Sequence, residues 1–233
     1  MAQGCAVGFD IDHTLAIDNK LERIALLRLL PAIDAAGGAA LGTLDQETNA
    51  IDVLLERQRS GAFGIDEAVR RFVVERGIAD PHPFVEEFRA IALALVDHVV
   101  VPIAGVPRLL TELRDRGFAA AVLSNGWSPL QQRKAERAGF DGPVLASADI
   151  GAAKPHPAAF AVLVERLGAR ADSIWYVGDN PRTDVAAAKR AGLRAIWYSA
   201  EGRPYPSELT APDAVVTNIC EVLEIVTNSA VAG

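Results

Sequence analysis

Two kinds of hydrophobic pattern alternate along this chain of 233 residues, and they divide it. Ala6-Val7-Gly8-Phe9 is a short apolar run that gives way to polar residues, as a buried strand does. Similar runs recur at 119–123, 144–146, 174–177, 194–198 and 214–216. The stretches between them are helical in pattern. They end at Gly117, Gly139, Gly168 and Gly192, which follow Arg-bearing final turns as helix C-caps do. Strands alternating with helices predict a parallel sheet with helices on both faces. Residues 18–98 read differently. Leu21, Ile24, Ala25 and Leu27-Arg28-Leu29 have helical spacing. So do Ile51, Leu54, Leu55 and Gln58; Val69, Phe72 and Val73; and Phe84, Phe88, Ile91 and Leu95. Gly37-Gly38, Ser60-Gly61 and Asp80-Pro81 separate these stripes. The pattern predicts an α/β core made of 1–17 and 99–233, interrupted over 18–98 by a bundle of about four helices. The tail after Asn228 is expected to fray.

Composition works mainly by exclusion. Hydrophobic residues make up 50% of the chain, enough for a large core with a substantial insertion. A formal net charge of −7 gives no support for a nucleic-acid partner. The most apolar tract, 90–101, is too short to span a bilayer and is broken by Asp97 and His98, so no membrane association is expected. No charged N-terminal segment precedes a long apolar run, and no signal peptide is expected. Cys5 and Cys220 lack metal-ligand spacing. Two isolated thiols fit a reducing cytoplasm, with a disulfide between them left open.

The candidate chemistry sits where the strand-like runs end. Phe9 leads into Asp10-Ile11-Asp12-His13-Thr14-Leu15. Residues i and i+2 of a strand share a face, so the two carboxylates emerge together. Adjacent negative charges repel and are costly to desolvate. A divalent cation relieves this, and Mg²⁺ prefers carboxylate oxygens. A carboxylate can also act as a covalent nucleophile in phosphoryl transfer. An Asp-rich turn capping a helix is the plainer reading, and the short motif alone does not decide. Three later sites shift the balance. The run 119–123 ends in Ser124-Asn125-Gly126; Lys154 stands in Ala153-Lys154-Pro155-His156-Pro157; and 174–177 runs into Gly178-Asp179-Asn180-Pro181-Arg182-Thr183-Asp184. Each polar group lies at a strand's carboxyl end or a helix start, where open α/β sheets build their sites. Acid pair, hydroxyl, lysine and second acid pair follow in the order that assembles one Mg²⁺-phosphate pocket. An anionic substrate needs local positive charge here, from Mg²⁺, Lys154 and helix N-termini.

With Asp10-x-Asp12-x-Thr14, Ser124, Lys154 and Gly178-Asp179-x-x-x-x-Asp184, the chain resembles the haloacid dehalogenase (HAD) superfamily over residues 5–199. Any one motif is weak; the ordered set is strong. His13 departs from the pattern, since many relatives carry Gly there. The resemblance implies a Rossmann-like core. It also implies a helical cap, because 18–98 falls between the first and second motifs, where a subset of the superfamily carries a cap that covers the site and chooses the substrate. Segments 15–19 and 101–105 are the hinge candidates. Dehalogenases proper lack an Asp at the position of Asp12, so Asp12 argues for a phosphatase.

The resemblance implies roles as well. Asp10 attacks phosphorus and forms an aspartyl-phosphate, while Asp12 protonates the departing alkoxide and then helps activate water. Mg²⁺ is held by the Asp10 carboxylate, the Asp12 backbone carbonyl, the Asp179 carboxylate and waters, with Asp184 holding a ligand water or Lys154. Ser124 offers a hydroxyl and Asn125 an amide to phosphate oxygens, Lys154 adds charge, and Thr14 orients the loop. The expectation is a cytoplasmic, Mg²⁺-dependent phosphomonoester hydrolase, monomer or homodimer. Its substrate would be a small phosphorylated metabolite, phosphoglycolate-like or a sugar phosphate. A phosphomutase of the same superfamily and a non-catalytic phosphometabolite-binding protein are the alternatives; the intact nucleophile weighs against the second. Phosphonate hydrolysis would need a cap lysine, and Lys20, at the hinge, is the only one. Trp127 is read as packing the phosphate loop ahead of contacting a leaving group, and Arg57 and Arg59 as solvated. His82, His98 and His156 receive no role.

Overall fold

The computed structural model describes residues 6–59 and 62–231; Cys5 and the expected separator Ser60-Gly61 lie outside them. In chain order the first elements are β1 (Ala6–Phe9), β2 (Ala16–Ile17), α1 (Leu21–Ala35), α2 (Leu44–Arg59), α3 (Ile65–Val74) and α4 (His82–Val99). Then come β3 (Val101–Pro102), α5 (Val106–Asp115), β4 (Ala119–Ser124), α6 (Leu130–Arg137), β5 (Val144–Ala146), α7 (Ser147–Ile150) and α8 (Pro157–Leu167). The chain ends with β6 (Ile174–Gly178), α9 (Ala186–Arg190), β7 (Arg194–Tyr198), β8 (Ala214–Val216) and α10 (Glu221–Val231). It divides into two compact units, Met1–Asp18 with Val100–Gly233, and Asn19–Val99.

Six strands of the larger unit form one sheet in the order β5-β4-β1-β6-β7-β8, and every pair is parallel. β1 lies inside, with Phe9 opposite Val122 of β4 and Val177 of β6. The order runs outward from β1 through β4 to β5 on one side and through β6 to β8 on the other. A crevice opens outside the carboxyl ends of the strands at such a switch point. Alternation along the strands sorts the side chains. Leu123, Ile174, Tyr176, Ala195 and Trp197 pack with Ala159, Phe160 and Leu163 of α8 and with Ala187 and Ala188 of α9. Helices α5 and α10 pack against each other and against β4 and β8, burying Leu109, Leu113, Val222 and Val226. The result is a Rossmann-like α/β core, its purely parallel sheet covered on both faces.

The smaller unit is a bundle of α1–α4. Helix α1 packs on α2 and α4, and α3 packs on α2 and α4. Leu26, Leu29, Phe72, Phe88 and Leu95 fill its interior. Arg76 and Glu47 form a buried ion pair there, and Arg76 Nη1 also donates to the Phe72 carbonyl at 2.6 Å.

Two features depart from the sequence reading. Among the described residues the chain past Asn228 stays helical: α10 continues to Val231, with Ser229 Oγ donating to the Ile225 carbonyl at 2.9 Å, while the last two residues of the tail expected to fray lie outside the described residues. Val222 and Val226 anchor that helix to the core. β2 and β3 are too short to give a periodic signal, yet they pair antiparallel, Ala16 with Pro102 and Ile17 with Val101. Among the described residues no helix is long and apolar enough to cross a membrane.

Gly8 has a packing role in β1. A Cβ there would lie 2.7 Å from Leu163 Cδ2 and 2.8 Å from Tyr176 Cδ2. The absent side chain lets the Tyr176 ring lie across β1, edge-on to Phe160 with ring centroids 5.2 Å apart. Gly8→Ala should therefore overpack the sheet and destabilise the protein by ~1–3 kcal/mol. Urea unfolding tests this: the midpoint should fall at unchanged slope, and an unmoved midpoint would show that the ring has room to yield.

Candidate active site

The backbone N–H of Asp10 donates to the Val177 carbonyl at 2.9 Å, which extends the β1–β6 pairing one residue past Phe9. Asp10 is buried, at 7% exposure. The ammonium of Lys154 donates to Asp10 Oδ1 at 2.6 Å, to Asp184 Oδ1 at 2.7 Å and to Tyr176 Oη at 3.0 Å. All three of its donors are thereby used. Tyr176 passes its own hydroxyl proton to the Leu123 carbonyl at 2.9 Å.

The Gly178-to-Asp184 spacing has a local reason. A Cβ on Gly178 would collide with the Asp184 carboxyl group, so glycine lets that side chain fold back over the end of β6. Asp184 Oδ2 accepts from the Asn180 N–H at 3.0 Å, and Asn180 Oδ1 accepts from the N–H groups of Arg182 and Thr183 at 2.9 and 3.1 Å. A π-turn over Pro181–Val185 carries Asp184 inward and runs on into α9. Trp197 of β7 donates its indole N–H to the Asp179 carbonyl at 2.9 Å. Asp10, Asp179 and Asp184 each offer an oxygen, all within 4.8 Å of one another.

Ser124 ends β4, opposite Ala146, and is buried. Asn125 makes two bonds with the Lys154 backbone: Nδ2 donates to its carbonyl at 2.9 Å, and Oδ1 accepts from its N–H at 2.8 Å. The Asn125 side chain thus places the lysine. Gln131 Nε2 steadies this loop by donating to the Asn125 carbonyl at 3.1 Å. Thr14 is buried, and among the described residues its hydroxyl has no hydrogen-bond partner. The N–H groups of Thr14 and Leu15, donating to the Ile11 carbonyl at 3.1 and 2.8 Å, shape its loop. His13 adopts a left-handed φ of 62°, a conformation that glycine takes without penalty.

The Asp12 carboxylate stands apart from the acidic cluster. Its Oδ1 accepts from Lys134 Nζ at 2.8 Å. Lys134, on α6, also donates to Asp18 at 3.3 Å.

Burial governs the electrostatics. It pushes Asp179 up to about 8, with Asp10 and Asp184 adding to the shift. It pushes Asp10 up to about 6, with Lys154 pulling back. Asp12 is raised by burial against the pull of Lys134. Burial lowers Lys154, but Asp10 and Asp184 outweigh it and hold the ammonium well above its ordinary range. Three carboxylates thus face one ammonium, and the donors are all oxygen. That set fits a hard divalent cation, which would displace the proton that burial favours on Asp179.

A family model described as haloacid dehalogenase-like hydrolase matches residues 6–192. The chain belongs to that family. The phosphoserine phosphatase of Thermus thermophilus is 39% identical over 116 residues, 48% of this chain and 46% of the relative, so the match spans about half of each. The phosphoglycolate phosphatase of Pectobacterium atrosepticum is 27% identical over 243 residues, 96% of this chain and 92% of the relative. Among solved structures, the 2-haloacid dehalogenase of Pseudomonas syringae pv. Tomato is 25% identical with a TM-score of 0.72, covering 96% of this chain and 98% of that one.

Sequence reasoning missed Lys134, Tyr176, Asn180 and Trp197. Lys134 left a trace: it falls on the buried stripe of α6 with Leu130, Gln131 and Ala135, where a lysine calls for a buried partner. His156, given no role, caps α8, its Nδ1 accepting from the Ala158 N–H at 3.2 Å.

A pH dependence follows. Asp179 ionises near 3.8 in an unfolded chain and near 8 when folded, so between those values the folded state holds the extra proton. Stability then falls as pH rises through the window. Asp10 acts in the same direction up to about 6. In chelator, the melting temperature should decline between about pH 6 and pH 8, and a divalent cation should raise it most at the upper end. Thermal scans with and without cation measure this. A cation effect independent of pH would mean that no proton leaves when the cation binds.

Proposed function

We propose that this protein is a Mg²⁺-dependent phosphomonoester hydrolase that works through an aspartyl-phosphate on Asp10. One observation carries the reading. Asp10 and Asp184 share the Lys154 ammonium in a buried array beside Asp179, at the carboxyl ends of β1 and β6. Lys154 holds Asp10 Oδ1 and leaves Oδ2 to attack phosphorus. As the bond from phosphorus to the leaving oxygen breaks, Asp12 gives that oxygen a proton. Asp12 then takes a proton from the water that attacks the phosphorylated Asp10, and inorganic phosphate departs. The Ser124 hydroxyl and the Asn125 backbone N–H donate to phosphate oxygens, the Asn125 side chain being occupied with the Lys154 backbone, and Lys154 adds positive charge. The Asp10 and Asp179 carboxylates and the Asp12 backbone carbonyl would hold Mg²⁺, with Asp184 acting through a water or through Lys154. When bound, the ion supplies the charge that makes a carboxylate-lined site attractive to phosphate.

Asp12 separates this chemistry from dehalogenation. A departing halide needs no proton, whereas a departing alkoxide does. The likeness to a dehalogenase therefore lies in the shared fold, and fold alone does not define function. Phosphoserine and phosphoglycolate, named for two relatives, are phosphate esters of small hydroxy acids. A small phosphorylated metabolite of the cytoplasm is the proposed substrate. We assign its selection to the helical unit Asn19–Val99 as a cap, because the motif residues engage only phosphate and the scissile oxygen.

Asp10→Asn keeps the side chain's shape and removes the nucleophile. Phosphate release from an aryl phosphate and a metabolite panel should fall by roughly 10³-fold or more, with circular dichroism unchanged. Near-normal release would refute the covalent route. Exchanging 19–99 for a short linker should leave a folded core that still hydrolyses an aryl phosphate. For the best metabolite, kcat/KM should drop by about a hundredfold, since remote contacts hold the reacting atoms in line. An unchanged ranking of the panel would mean that the helical unit does not select.

A further inference from the structure

We infer that Lys134 is a positioning residue for Asp12, holding the proposed acid–base carboxylate to one orientation. The inference rests on the reading of Asp12 given above. Its basis is the placing of one buried cation between two loop carboxylates. Lys134 is 2% exposed, and α6 packs against β2. Asp12 and Asp18 bracket β2 (Ala16–Ile17), and the ammonium bonds both, at 2.8 and 3.3 Å. Lys134 thus staples the two ends of the loop that carries the proposed acid. A free Asp12 side chain would swing away from the Asp10 carboxylate under like-charge repulsion. The staple opposes that swing. Among the described residues the hydrogen bond to Asp12 falls on Oδ1, which leaves Oδ2 for the leaving oxygen and, later, for water.

Neither Asp10 nor Lys154 depends on this clamp. Lys154 reaches Asp10 from the segment before α8 and is held there by Asn125, whereas Lys134 comes from α6. The two lysines therefore divide the work. One fixes the nucleophile and the other fixes the proton donor.

Leaving-group dependence tests the division. An alkyl phosphate expels a poor leaving group and needs the proton, whereas a p-nitrophenyl phosphate expels a stable anion and barely does. In Lys134→Met, kcat/KM, which reports the steps up to leaving-group departure and not the shared hydrolysis of the phosphorylated Asp10, should fall about tenfold to a hundredfold for a panel of alkyl phosphates and by a much smaller factor for p-nitrophenyl phosphate. A purely structural lysine would lower both in parallel. Lys134→Arg, which keeps the cation, should recover part of the alkyl-phosphate rate. If Lys134→Met does not fold, Asp18→Asn removes the other end of the staple and should show the same unequal loss on a smaller scale. Asp12→Asn is the control for the underlying reading. Unequal loss in Asp12→Asn with parallel loss in the folded staple variant overturns the role of Lys134 alone. Parallel loss in Asp12→Asn overturns the acid–base role of Asp12, and the inference with it.

Discussion

The Lys154 ammonium is the contact on which the rest of the site depends. It lies out of water with three oxygen partners, Asp10, Asp184 and Tyr176. Burial alone would favour loss of the ammonium proton; Asp10 and Asp184 outweigh it and keep the charge on Lys154. Breaking one arm leaves an uncompensated buried charge, which typically costs several kcal/mol.

The sheet makes that contact possible. Asp10 follows β1, Asp184 returns beyond β6, and Lys154 precedes α8, so three distant segments meet where the strand order reverses. Two glycines clear the space. Gly8 admits the Tyr176 ring, and Gly178 admits the Asp184 carboxyl group. Asn125 sets the backbone of Lys154, and Trp197 holds that of Asp179. Few of these supports resemble chemistry in the sequence, yet together they bring the reactive groups into bonding distance.

Asp10 and Asp12 are two residues apart and live in different surroundings. Asp10 is buried against Lys154 and two further carboxylates; Asp12 is half-buried against Lys134 at the end of a short loop. Identical side chains can take different roles when their neighbours differ, and the proposed pairing of a nucleophile with an acid–base group would need that difference. The −7 charge of the chain does not itself exclude the proposed anionic substrate, because local groups such as the buried Lys134 and Lys154 set the field at the site.

The sequence by itself determined the sheet strands and which residue types stand at their ends. Runs such as 119–123 and 174–177 have the length and composition of buried parallel strands, and those strands form within a residue of the expected ends. Asp10, Ser124 and Asp179 were legible as candidates because each follows or ends an apolar run, and Lys154 because it stands just before a helix start, all four in one order along the chain. The same local logic did not foresee that α10 continues past Asn228 to Val231, on a helix anchored by Val222 and Val226. It could not detect β2 and β3, whose pairing joins residues 85 or so positions apart. Tertiary structure alone decided the partners. Tyr176 reads as one more apolar strand residue until its hydroxyl meets Lys154, and Lys134 is 122 positions from Asp12. Periodicity reports which face a residue occupies; which charge awaits it there depends on distances set only when the whole sheet has closed around β1.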